Sequence, residues 1–99
     1  MAYKMYKKDG TLLNDQPIRI RVVEGNISKA KGGNVTMTAP NIDGYKFMFW
    51  STVATDGWAS SVYPASPTSQ TCKFWNTIDQ GSGTGKIRAV AVYTLVGFD

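Results

Sequence analysis

Apolar and polar positions alternate most clearly over residues 44–58, GYKFMFWSTVATDGW. Tyr45, Phe47 and Phe49 alternate with Lys46, Met48 and Trp50, the period of two that a β-strand imposes because successive side chains leave opposite faces. Thr55-Asp56-Gly57 predicts a turn, since Asp bonds its own backbone and Gly tolerates positive φ. Trp58 then opens the next strand.

The same pattern recurs along the chain. Ile18, Ile20 and Val22 alternate with Arg19 and Arg21 and predict a half-buried strand through about Glu24, begun after Pro17 and ended by Gly25-Asn26. A short strand or edge is expected over 27–30. Lys31-Gly32-Gly33-Asn34 predicts a turn, followed by a strand over 35–38 and a loop over 39–44. Beyond Trp58, residues 59–63 read as a strand with Val62 inward, and two prolines with hydroxyl residues predict an exposed loop from Pro64 to Ser69. The next strand, 71–75, puts Phe74 and Trp75 on opposite sides, and 76–85 is a glycine-rich connection. Residues 86–96 form the longest strand, with Ile87, Ala89, Ala91, Tyr93 and Leu95 on one face and Val90, Val92 and Val96 on the other. Apolarity on both faces predicts a central place between layers.

Near the start, Asp9-Gly10 between two short mixed runs predicts a hairpin over 2–13, with a loosely held terminal arm as the competing reading. Residues 1–17 are thus an N-terminal arm or hairpin and 18–99 the β domain. No stretch carries a sustained helical period. About seven short strands with turns between them predict an all-β fold, a single-domain antiparallel β-sandwich of jelly-roll or Ig-like type. Trp50, Trp58 and Trp75 are candidates to meet in an aromatic core.

Composition agrees with one small folded unit. Ninety-nine residues make one domain, which buries roughly 60–70% of the surface its unfolded chain exposes. A hydrophobic share of 42% against 18% charge excludes general disorder. The formal charge of +4 is dispersed over Lys4, Lys7 and Lys8, over Arg19 and Arg21, and over Lys86 and Arg88. Such pairs read as solvated strand faces rather than the dense basic patch of a nucleic-acid binder. Cys72, the only cysteine, permits no intrachain disulfide and reads as a small buried filler. No run reaches the roughly 20 apolar residues of a membrane-spanning helix, and the N-terminal lysines lack the apolar region of a signal peptide. Membrane insertion is not expected.

Catalytic chemistry is poorly supplied. Without histidine, neither a Ser-His nor a Cys-His nucleophile pair can form, and Cys72 alone makes no ordinary zinc centre. Almost all seven carboxylates fall in predicted turns; that role, rather than a glycosidase pair, accounts for Asp43 and Asp56. Gly81-Ser-Gly-Thr-Gly-Lys86 superficially resembles a phosphate loop, but Gln80 and Ile87 stand where such a loop needs Gly and a hydroxyl residue. Asn26-Ile-Ser and Asn34-Val-Thr match the glycosylation pattern, which has no function without a secretory route. The reading is of a protein that is not an enzyme and uses neither cofactor nor metal.

Aromatic residues at strand–loop junctions give the one functional lead. Rings exposed on a β scaffold can stack on sugar faces while nearby Asp and Asn read hydroxyls. Trp58 beside Asp56, Tyr63 beside Pro64, and Trp75 beside Asn76 occupy such junctions, where binding residues concentrate. The candidate ligand residues are therefore Asp56, Trp58, Tyr63, Trp75 and Asn76; burial in the core is the competing account of each ring.

The pattern GYKFMFW, ATDGW, SVYP, FWN and GKIRAVAVY resembles small domains at the C-termini of tail, baseplate and other minor structural proteins of phages infecting Gram-positive bacteria. Its anchors are Gly44-Tyr45, Trp50, Gly57-Trp58, Tyr63, Trp75 and the closing strand over 89–93. The resemblance spans about residues 39–95 and brings no catalytic or ligand motif residue by residue. It implies a virion-associated all-β module, open to trimeric assembly, that contacts the host envelope or another tail protein. Expected partners are cell-surface or cell-wall carbohydrate, other tail proteins, or further copies of the chain. The expected location is the virion tail, or the host cytoplasm during assembly. A second likeness is to bacterial surface repeats with a GY-x-F-x-x-W core, although here that core occurs once.

Overall fold

The computed structural model describes residues 16–55 and 61–97. Six strands run through them: β1 (Ile18–Ser28), β2 (Asn34–Thr38), β3 (Tyr45–Thr55), β4 (Val62–Pro64), β5 (Thr71–Asn76) and β6 (Thr84–Leu95). They form two three-stranded antiparallel sheets, ordered β1-β6-β3 and β2-β5-β4. The expected hairpin over 2–13, the turn at Asp56-Gly57 and Trp58 lie outside the described residues.

One apolar cluster joins the sheets. Ile87, Ala89, Ala91 and Tyr93 from β6 meet Phe74 and Cys72 from β5, Met37 from β2, Val62 from β4 and Trp50 from β3, all buried. Val62 faces inward and Cys72 fills a small core position, both as expected. The expected split of Phe74 from Trp75 also holds: Phe74 is fully buried and Trp75 is 38% exposed.

Several expectations are corrected. Gly25-Asn26 does not end a strand; β1 continues through it to Ser28, absorbing the short strand expected over 27–30. Gly25 serves packing rather than turning, because a Cβ there would lie 2.8 Å from the Met37 sulfur of β2. On β3, simple alternation fails. Its pairing with β6 shifts between Phe47 and Phe49 and again between Trp50 and Val53, each shift adding one residue to β3, as a β-bulge does. The first bulge sends Phe49 outward at 39% exposure and turns Trp50 inward at 4%. Phe47 and Trp50 therefore share the inner face, with ring centroids 5.6 Å apart. Trp75 points away from the cluster that holds Trp50, so those two tryptophans do not meet.

β6 is central within its sheet, between β1 and β3; one face, with Ile87, Ala89, Ala91 and Tyr93, is buried, while on the other Arg88, Val90 and Val92 are half-buried and only Thr94 is buried. The expected place between two layers is corrected accordingly. The half-buried reading of β1 is corrected too: Ile18, Ile20 and Val22 are 45%, 58% and 57% exposed. In register they share the outer face with the half-buried Val90 and Val92, while Arg19 and Arg21, themselves exposed, oppose the buried Tyr93 and Ala91.

Candidate functional site

The surface of the β2-β5-β4 sheet facing away from the core is built by register. Tyr63 stands directly opposite Trp75, and Asn34 flanks Trp75 on its other side. Directly opposed side chains in an antiparallel pair have Cβ atoms about 4.5–5.5 Å apart, so Tyr63 and Trp75 leave the same row of the sheet on the same face. Tyr63 is 63% exposed. The next row holds Thr36 and Lys73, and the row beyond it Thr38 and Thr71, whose hydroxyls lie 3.0 Å apart. Lys73 bends back so that its ammonium lies 5.3 Å from the Trp75 ring centroid, within cation–π range.

β5 makes this arrangement through strict alternation. Cys72, Phe74 and Asn76 are buried, while Thr71, Lys73 and Trp75 are exposed. The result is a shallow platform of two rings, one ammonium, and neighbouring hydroxyl and amide groups. Chemically it can stack on the flat apolar face of a ring and donate hydrogen bonds at its rim. It holds no nucleophile–base pair.

Of the five residues anticipated, the structure brings Tyr63 and Trp75 together. Asp56 and Trp58 lie outside the described residues. Asn76 follows Trp75 in sequence, yet its side chain is turned inward and is 1% exposed. Its Nδ2 donates to the carbonyls of Ser28, Lys29 and Ala30 at 3.2, 2.9 and 3.2 Å, and its Oδ1 accepts from the Ser61 hydroxyl. Alternation carries this signal: a residue next to an outward Trp must face inward. Lys73 and Asn34 were missed, because their place beside Trp75 depends on pairing between distant strands.

A second feature is an open cleft of about 450 Å³ lined by Asn41, Ile42, Tyr45, Phe47, Gln70 and Tyr93, among others. Several of its donors are engaged within the chain. The Tyr93 hydroxyl donates to the Pro40 carbonyl and that of Tyr45 to the Gln16 carbonyl. Gln70 Nε2 donates to the Ala39 carbonyl at 2.8 Å and to Asn41 Oδ1 at 2.7 Å. The Tyr93 and Gln70 bonds hold the loop between β2 and β3 in place, and the Tyr45 bond ties β3 to the segment before β1. Burial pushes the Tyr93 phenol above its usual range, and the nearby Arg21 charge opposes that shift.

Among the described residues no group of three or more His, Cys, Asp or Glu is placed to hold a metal ion, and no helix is long and apolar enough to cross a membrane. No protein-family model, curated protein or solved structure matches the chain.

Proposed function

We propose that the chain is a non-enzymatic β-sandwich module of phage-tail or baseplate type that recognises host cell-surface carbohydrate through the Tyr63–Trp75 platform. The observation that carries this reading is the direct pairing of two large exposed rings on one flat sheet face. Two rings on one row left in water forgo burial that would stabilise the fold, and the apolar face of a sugar ring is a surface that stacks on exposed aromatic rings. Lys73 and Asn34 supply the polar rim.

The test is a binding screen against glycans and purified cell walls, with tryptophan emission as the second readout. Saturable binding with an emission shift is expected. Trp75→Ala and Tyr63→Ala should each weaken binding about tenfold, in keeping with ring contacts worth about 1.5 kcal/mol, while the circular dichroism spectrum stays unchanged. Full binding by both folded variants would remove the platform from the reading. A structural role in virion assembly is the second reading, favoured by the open apolar face of β1-β6-β3.

A further inference from the structure

The outward face of the β2-β5-β4 sheet carries a cation and no described anion. Lys73 stands one row from Trp75 along β5, exposed, with its ammonium 5.3 Å from the indole centroid. The described carboxylates are Glu24, Asp43 and Asp79, and none of them stands on this sheet. Glu24 is taken up by Lys86 and Arg88 on the other sheet, and Asp79 Oδ1 accepts the Gly81 N–H at 3.0 Å. Lacking a counter-charge among these groups, the Lys73 ammonium rests on the negative face of the indole ring.

That contact constrains what can bind. A ring that stacks on the same indole face must displace the ammonium. A neutral sugar would break the cation–π attraction and give the ammonium nothing in return. A sugar with an ionised acid group replaces it with a charge-assisted hydrogen bond. The spacing suits a chain of sugars. Successive outward rows of β5 lie about 6.6 Å apart, two residues of strand, close to the step from one pyranose to the next. Beyond Lys73, the Thr38 and Thr71 hydroxyls lie 3.0 Å apart. One O–H is spent between them, and the other can donate to a ligand.

We propose that the ligand of this face is an acidic oligosaccharide laid along β5, one sugar stacked at the Tyr63–Trp75 row and an ionised group paired with Lys73. The inference rests on the carbohydrate reading and adds to it the charge of the ligand. Lys73 is then the residue that sets specificity, and Trp75 the one that supplies stacking. An ammonium is a point charge without the planar fork of a guanidinium. A uronic-acid carboxylate and a sugar phosphate therefore share the chemistry required.

The test titrates the full chain with linear hexose oligosaccharides of several linkages, each in neutral, C6-uronic and 6-phosphate form. Tryptophan emission is the readout, at about 50 and 500 mM NaCl, which brackets weak and strong screening. An acidic form is expected to bind about fivefold tighter than its neutral parent at low salt, the scale of one exposed ion pair. High salt should shrink that ratio. Lys73→Gln should abolish it while leaving the neutral affinity no weaker, and Lys73→Arg should keep it. The tighter of the uronic and phosphate forms identifies the acid. Equal binding of neutral and acidic forms, unmoved by Lys73→Gln, overturns this inference and leaves the carbohydrate reading standing. Binding of no oligosaccharide at all overturns both. Acetate or inorganic phosphate binding as tightly as the acidic sugars, and equally well to Trp75→Ala, would reduce the site to a bare ion contact and overturn the inference too.

Discussion

Trp50 of β3 meets Phe74 of β5 edge to face across the core, with ring centroids 5.2 Å apart and planes at 86°. This contact links the two sheets at fully buried positions, in the geometry favoured by the ring quadrupoles. Trp50 is held further by its indole N–H, which donates to the Ser69 carbonyl at 2.8 Å. Removing either ring opens a cavity shared by both sheets. Phe74→Ala is expected to destabilise the domain by about 3–5 kcal/mol, and Phe74→Leu by less. Urea unfolding checks both; a loss below about 1 kcal/mol in Phe74→Ala would show that the sheets do not depend on this contact.

Asn76 is a structural residue. Its amide gathers three consecutive carbonyls at the end of β1, and its main chain exchanges bonds with Gly32 and Gly33 at 2.9 and 2.8 Å. Asn76→Ala takes the amide from the Ser28 and Ala30 carbonyls and the acceptor from the Ser61 hydroxyl, while the Lys29 carbonyl keeps the Gln80 N–H at 2.7 Å, and should cost about 1–3 kcal/mol. Asn76→Asp should cost more, because it sets a carboxylate against carbonyl oxygens. Any glycan affinity of folded Asn76→Ala should equal that of the parent; a selective loss of affinity would give the side chain a ligand role.

Gly33 is required by close approach rather than by backbone angle. A Cβ there would lie 2.5 Å from the Ser28 carbonyl oxygen, a main-chain atom that cannot step aside. At Gly25 the obstacle is the flexible Met37 thioether at 2.8 Å. Gly33→Ala should therefore destabilise by about 1–3 kcal/mol, and Gly25→Ala by less. Thermal unfolding of the two variants gives the order, and the reverse order would contradict the packing described for the β1–β2 turn.

Tyr93 should make stability fall in alkali. Burial favours its neutral phenol, and the folded-state pKa lies above the ordinary 10.0. The unfolded chain ionises first, so this contribution is complete below pH 10 and is lost as pH rises through the folded value. Tyr93→Phe removes that component and also the hydrogen bond to Pro40, lowering stability at neutral pH while flattening the alkaline limb. Urea titrations between pH 8 and 11 measure it; an equally steep limb in the variant would assign the loss to other groups.

The sequence by itself determined the strands and much of the core. Alternation put Phe74 and Trp75 on opposite sides of their strand and sorted the residues of β6 into two faces, because a period of two separates the faces of any strand; which of those faces is buried was decided by the packing of the two sheets. It could not say which face of β1 meets the core. Ile18, Ile20 and Val22 are apolar and Arg19 and Arg21 charged, yet the inner side at that end of the sheet is where Arg19 meets Tyr45. Nor could it foresee the two bulges of β3, each of which moves every later side chain to the opposite face by one extra residue. Tertiary structure alone decided that Tyr63 stands beside Trp75. Their shared row depends on the β4–β5 register, and register is set by burying Phe74, Val62 and Asn76 together rather than by any property of the two rings.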